Sequence, residues 1–104
     1  MNFSKGDVVL LPFPFSDLTS MKVRPAIVVG INPYGDVLLV PVTSNSQNVD
    51  LSLVNWREAG LNVACGIKAQ IATIEVSLIR KNIGHLSADD LAGLNTRLRD
   101  WLQL

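Results

Sequence analysis

At 104 residues, 48% of them hydrophobic and 17% charged, the chain has room for one domain, 1–104, with a core that needs no disulfide staple. Nine Lys and Arg balance nine Asp and Glu, which excludes a wholly basic nucleic-acid binder; any contact with nucleic acid must come from a local patch. One cysteine, Cys65, and one histidine, His85, allow neither an internal disulfide nor a structural zinc site, and residues 1–7 lack a signal-peptide pattern, so the expectation is a reduced, cytoplasmic protein.

In chain order, Val8-Val9-Leu10-Leu11 is a continuous apolar run between the Gly6-Asp7 turn signal and Pro12, and reads as a central strand buried on both faces. The apolar stretch it belongs to, residues 8–15, is too short and too rich in proline to span a bilayer, so no membrane partner is expected. A second strand, Ala26-Ile27-Val28-Val29, starts just after Arg24-Pro25, where proline suits a strand's first residue. The turn formers Asn32-Pro33-Tyr34-Gly35-Asp36 join it as a hairpin to a third strand, Val37-Leu38-Leu39-Val40, ended by Pro41-Val42-Thr43-Ser44.

Val49-Asp50-Leu51-Ser52-Leu53 alternates as a half-buried strand does, and residues 55–61 could hold a helical turn broken at Gly60. Residues 67–74 and 76–83 read as two more short strands. Then the period changes: Leu91, Leu94, Leu98, Trp101 and Leu102 recur at helical spacing, with Ser87 as N-cap and Asp89 and Asp90 in the first turn. Many short, largely antiparallel strands followed by one C-terminal α-helix describe a mainly β (α+β) small barrel.

No glycine-rich phosphate loop, dinucleotide fingerprint or HExxH helix is present, so no cofactor or metal is expected. A hydrolytic triad would have to use His85, and a Cys65 nucleophile has no charged neighbour in sequence to activate it; a surface histidine and a small core cysteine are the simpler readings. Three features remain. Arg24, with Lys22 two residues before it, stands at the mouth of a strand where a guanidinium can hold a phosphate, although pairing with Asp17 would serve structure alone. Thr43 and Ser44 could hold a phosphate or cap a turn. Phe13, Phe15, Trp56 and Tyr34 could stack bases or pack, and Lys68 could add a cation or merely solubilise its strand.

Taken in order, Lys5-Gly6-Asp7-Val8-Val9-Leu10, Pro12-Phe13-Pro14-Phe15-Ser16-Asp17-Leu18, Arg24-Pro25-Ala26-Ile27-Val28-Val29, Val40-Pro41-Val42-Thr43-Ser44, Gln70-Ile71-Ala72-Thr73-Ile74 and Ile83-Gly84-His85-Leu86-Ser87 resemble the PemK/MazF family of type II toxin-antitoxin toxins. The resemblance implies an SH3-like barrel, a homodimer, a cognate antitoxin, and DNA contact only through that antitoxin. It also implies a metal-independent endoribonuclease that cuts single-stranded mRNA at short sequences, leaving 2′,3′-cyclic phosphate and 5′-hydroxyl ends. By the family's pattern Arg24 and Thr43 would be catalytic, with Lys22, Ser44, Phe15, Asp17, Lys68 and Gln70 contacting RNA. Lys68 would serve as an acid or base only if burial or Arg24 lowered its pKa. The chain departs from some relatives at Ala69 and Ala72, where they carry an acidic and a basic residue. A relative without catalysis, acting by protein contact on gyrase or as an antitoxin-binding co-repressor, is the alternative the same fold allows.

Overall fold

The computed structural model describes residues 2–12 and 22–104. Seven strands form it, β1 (Asp7–Pro12), β2 (Val23–Ile31), β3 (Val37–Thr43), β4 (Leu51–Ser52), β5 (Gly66–Ile67), β6 (Ala72–Ile74) and β7 (Lys81–His85), and one helix, α1 (Ala88–Leu102), follows. The pairings are antiparallel in the order β4-β5-β3-β2-β1-β7, with β6 added to β3. Because β3 pairs with β2 along one edge and with both β5 and β6 along the other, the sheet curls into the small barrel expected from the sequence. No helix among the described residues is long and apolar enough to cross a membrane.

Alternation along the central strands feeds two separate cores. Val8, Ile27, Val40 and Val42 point to a first core shared with Leu53, Ala59, Leu61, Cys65, Ile67, Leu86, Leu94 and Leu98. Val9, Leu11, Ala26, Val28, Val37 and Leu39 point the other way, to a second core closed by Phe3, Ala72, Ile74 and Ile79. This is why β1 reads as an unbroken apolar run: it has no solvent face to make polar.

The structure moves several boundaries. Pro25 and Pro41 lie inside β2 and β3 rather than at their limits. The β2–β3 ladder begins only at Ala26↔Pro41, so on that side the missing N–H of Pro25 leaves no partner waiting. The strand expected over 67–74 is interrupted between β5 and β6, where Lys68 N–H donates to the Pro41 carbonyl at 3.0 Å and Ala69 N–H to Asp50 Oδ2 at 2.7 Å. Residues 76–78 form a 3₁₀ turn ahead of β7, and 55–61 hold a single helical turn, Ala59 N–H donating to the Asn55 carbonyl at 3.3 Å, that breaks at Gly60 with its φ of +86°.

Ser87 caps α1 as expected, its hydroxyl accepting from Asp90 N–H at 3.2 Å. Leu94 and Leu98 are buried, with Leu91 and Trp101 packed partly against the first core, but Leu102 is 51% exposed and lies outside the apolar face it was expected to complete. Asp90 does more than occupy the first turn: at 6% exposure it accepts from Val54 N–H at 2.9 Å and Asn55 N–H at 2.8 Å, while Asn55 Nδ2 donates to Ser87 Oγ at 2.8 Å. The helix start therefore clamps the loop that follows β4. Asp90→Ala would leave two backbone donors without their charged acceptor and is expected to lower stability by about 3 kcal/mol; a urea-unfolding midpoint equal to that of the wild type would contradict this.

Candidate functional site

The candidate residues take their places from the strand pairing. Arg24 and Thr43 each lie two residues beyond the last β2–β3 pair, Ala26↔Pro41, so both stand at the same end of the two strands. Across the other edge of β2, Arg24 pairs with Leu11. One step inward, Pro25, Leu10 and Lys81 make the adjacent row, since Leu10 pairs with both Pro25 and Lys81. The start of β2 and the end of β3 thus bring a guanidinium and a hydroxyl from positions nineteen apart to the same end of the sheet.

A cleft of about 310 Å³ opens there, lined by the ends of β2 and β3, by Leu10 of β1 and by the loop before β5. Arg24, Thr43 and Ser44 border it, Leu10, Pro25, Val42 and Ile83 give it apolar walls, and Gly60, Leu61, Asn62, Val63 and Cys65 close the remaining side. Since the cleft touches residues of alternate parity on β2 and β3, it lies across the strand ends rather than on one face. Thr43 Oγ1 accepts from Asn45 N–H at 3.1 Å, which orients the hydroxyl and leaves its proton free to donate. An exposed arginine beside two hydroxyls and an apolar wall is suited to an anion carrying an uncharged ring.

Not every candidate joins this group. Lys22 is exposed at the entrance of β2. Lys68 and Gln70 lie in the connection between β5 and β6, on the edge of β3 away from β2, with Gln70 N–H donating to the Lys68 carbonyl at 2.8 Å. Phe15 and Asp17, with Phe13, fall outside the described residues. Trp56 is no open stacking face: it packs partly against the first core, and the Arg57 guanidinium sits 4.9 Å from its ring centroid. Tyr34 is exposed in the β2–β3 turn, at the opposite end of β2 from Arg24.

His85 sits at the far end of β1 from the cleft, paired in register with Asp7, and its Nδ1 lies 2.9 Å from Asp7 Oδ1. Asp7 Oδ2 accepts from Ser4 N–H at 2.8 Å, so the pair fastens the start of β1 to the end of β7. Among the described residues no three His, Cys, Asp or Glu side chains gather as a metal-ligand group. Cys65 is buried in the first core as well as bordering the cleft. Burial, with the Asp90 charge adding to it, pushes its thiol pKa above the ordinary value. The thiolate is the reactive form, so Cys65 in the folded protein is expected to react with iodoacetamide at pH 8 at least tenfold more slowly than in urea, as mass spectrometry over time would show.

The cleft's third wall was not legible as a site in the sequence. Gly60, at φ +86°, is the one local signal, and it marks a turn rather than a binding residue. Asn62 and Lys81 belong to no motif.

No individual curated protein matches the chain. A family model does: it describes a PemK-like, MazF-like toxin of type II toxin-antitoxin systems and matches residues 4–102, a span that takes in every strand and the whole helix. That coverage makes the chain a member of the PemK-like, MazF-like toxin family of type II toxin-antitoxin systems.

Proposed function

We propose that the chain, acting as a single toxin domain over residues 1–104, is a metal-independent endoribonuclease that cuts single-stranded mRNA at short sequences, works as a cytoplasmic homodimer and is held inactive by its antitoxin. The observation that carries this reading is the convergence of Arg24, Thr43 and Ser44 on one cleft at the end of β2 and β3. Family membership implies the antitoxin partner.

In the reaction, the 2′-hydroxyl beside the scissile bond gives up its proton and attacks the adjacent phosphorus. The P–O5′ bond breaks as the new P–O2′ bond closes the ring, and the departing O5′ takes a proton to become a 5′-hydroxyl. RNA supplies the nucleophile, so no serine, cysteine or metal-bound water is required. The protein's task is to hold the phosphate and stabilise the extra charge of the phosphorane, and preorganised donors perform it. Arg24 stays protonated throughout and therefore serves as an electrostatic clamp rather than as the base. Thr43 donates its hydroxyl to a phosphate oxygen, and Lys22, Ser44, Phe15, Asp17, Lys68 and Gln70 form the wider RNA contact set.

The test is purified protein, free of antitoxin, incubated in EDTA with a long end-labelled single-stranded RNA. Discrete cuts bearing 2′,3′-cyclic phosphate and 5′-hydroxyl ends are the expected result. Intact RNA after incubation with folded protein, across diverse sequences, would move the assignment to a toxin acting by protein contact. The specific observation favouring that second reading is the exposure of Leu102 and Leu104, the latter at 88%, at the end of α1.

A further inference from the structure

Opposite Arg24 and Thr43, the cleft is closed by the loop from Gly60 to Cys65, and this loop is held far more firmly than its lack of regular structure suggests. Leu61 is buried, and its N–H donates to the Trp56 carbonyl at 3.2 Å; Cys65 is buried, and its carbonyl accepts from Leu53 N–H at 3.1 Å. Gly60 lies so close to β7 that an added Cβ would collide with the Ile83 carbonyl oxygen. Upstream, Asp90 clamps Val54 and Asn55. Between these anchors stands Asn62, an exposed residue bordering the cleft with Val63 beside it. A carboxamide on a fixed loop can donate and accept at once, the requirement for reading the edge of an unpaired base.

Dimensions and charge agree with a nucleotide. The volume of about 310 Å³ is at the lower end of small-ligand sites, enough for one splayed base and too small for a stacked pair of strands. Leu10, Pro25 and Ile83 offer an apolar surface for a base plane. In the same row as Leu10 and Pro25 comes Lys81, exposed on β7, two strands from Pro25 or roughly 10 Å. Arg24 and Asn62 thus border the cleft itself, and Lys81 continues the Leu10–Pro25 row just outside its lining.

Resting on the RNA-cleavage reading, we propose that this cleft is a base subsite in which Asn62 determines sequence preference at one position beside the scissile phosphate, while Lys81 holds a neighbouring phosphate irrespective of sequence. Base contacts specify and phosphate contacts position, so the two residues are separable by experiment.

The experiment selects a randomised single-stranded RNA pool, made with 2′-fluoro riboses that cannot supply the nucleophile, on wild type, Asn62→Ala, Asn62→Asp and Lys81→Ala, and sequences what is bound. At one position a preference of about tenfold or more in wild type is expected to flatten in Asn62→Ala. Asn62→Asp, which only accepts, is expected to shift that position toward bases presenting donors. Lys81→Ala is expected to keep the sequence preference and lose affinity uniformly, with the salt slope falling by about 0.7 for one phosphate on a single strand. Identical enriched sequences from wild type and Asn62→Ala would overturn the assignment of Asn62, and an unchanged salt slope that of Lys81. Wild type that binds the pool but leaves natural RNA intact would remove the nuclease reading and leave the subsite standing. Folded wild type that selects no RNA would remove both.

Discussion

Arg24→Ala is expected to reduce RNA cleavage by at least about 10²- to 10³-fold while leaving the unfolding midpoint close to that of the wild type. The size follows from what the guanidinium is asked to supply: loss of one preorganised donor to a developing anion costs about 2.7 to 4 kcal/mol of transition-state stabilisation. Its structural cost is small because Arg24 is exposed at the mouth of β2, and the β2–β3 ladder starts two residues later, at Ala26. Arg24→Lys should recover only part of the activity, since an ammonium keeps the charge but loses the planar fork that grips two phosphate oxygens. Thr43→Val tests the other position with nearly the same shape and without the hydroxyl. It removes the phosphate donor and the acceptor of Asn45 N–H together, and is expected to cost less than Arg24→Ala. Rates under single-turnover conditions with a short RNA containing one cut site, measured beside unfolding curves, separate the two effects. Full activity in Arg24→Ala would remove the catalytic role assigned to Arg24.

A large effect on stability is expected at Gly84, outside the residues that line the cleft. A Cβ there would run into the Ala59 carbonyl oxygen, just as one on Gly60 would meet the Ile83 carbonyl oxygen, so the 59–60 turn and β7 touch backbone to backbone at two reciprocal points. Neither obstacle is the end of a flexible side chain, and the turn cannot retreat without dragging the buried Ala59 and Leu61 from the first core. Gly84→Ala should therefore destabilise by about 3 kcal/mol, at the upper end for overpacking. Gly60→Ala adds the strain of a left-handed φ to a similar collision and should be at least as severe. Gly35→Ala is the control: its φ of +84° carries the same kind of backbone strain, yet a Cβ there meets nothing within 4 Å. Thermal or urea unfolding of the three variants checks the order, and a Gly84→Ala protein as stable as the wild type would show that the turn can move freely.

Much of the barrel was legible because its strands obey simple signals. The uninterrupted Val8-Val9-Leu10-Leu11, the turn formers at 32–36 and the capped leucine repeat of α1 each survive in the structure. What was misread depends on contacts between distant segments. Residues 67–74 have strand composition throughout, yet Asp50 and Pro41 capture the backbone at 68 and 69 and break the strand in two. Pro25 and Pro41 look like boundaries, but a proline ends a strand only where a neighbour needs its N–H. The site divided in the same way. Arg24 and Thr43 stand out through the family pattern, and the strand ends then bring both to one cleft. Asn62 carries no local signal, because its placement comes from a glycine contact with β7 and a carboxylate at the start of α1. Lys68 and Gln70, close to Thr43's strand in pairing order, end up across β3 from Arg24.

The two cores on opposite faces of β1 bear on how the chain avoids folding wrongly. In most sheets a slip of one residue drives polar side chains inward and is rejected by solvation. Here such a slip would exchange Val8 with Val9 and Ile27 with Val28, aliphatic for aliphatic, and water would hardly notice. Discrimination must come from pieces that tolerate no translation: the Asp7 carboxylate meeting His85, the bulge that inserts Ile83 into β7, and Gly84 presenting bare backbone where any other residue in that place would jam. A variant that weakens these keys while leaving the cores intact should populate misaligned, still compact chains, visible as doubled amide peaks in an NMR spectrum at temperatures well below its melting point.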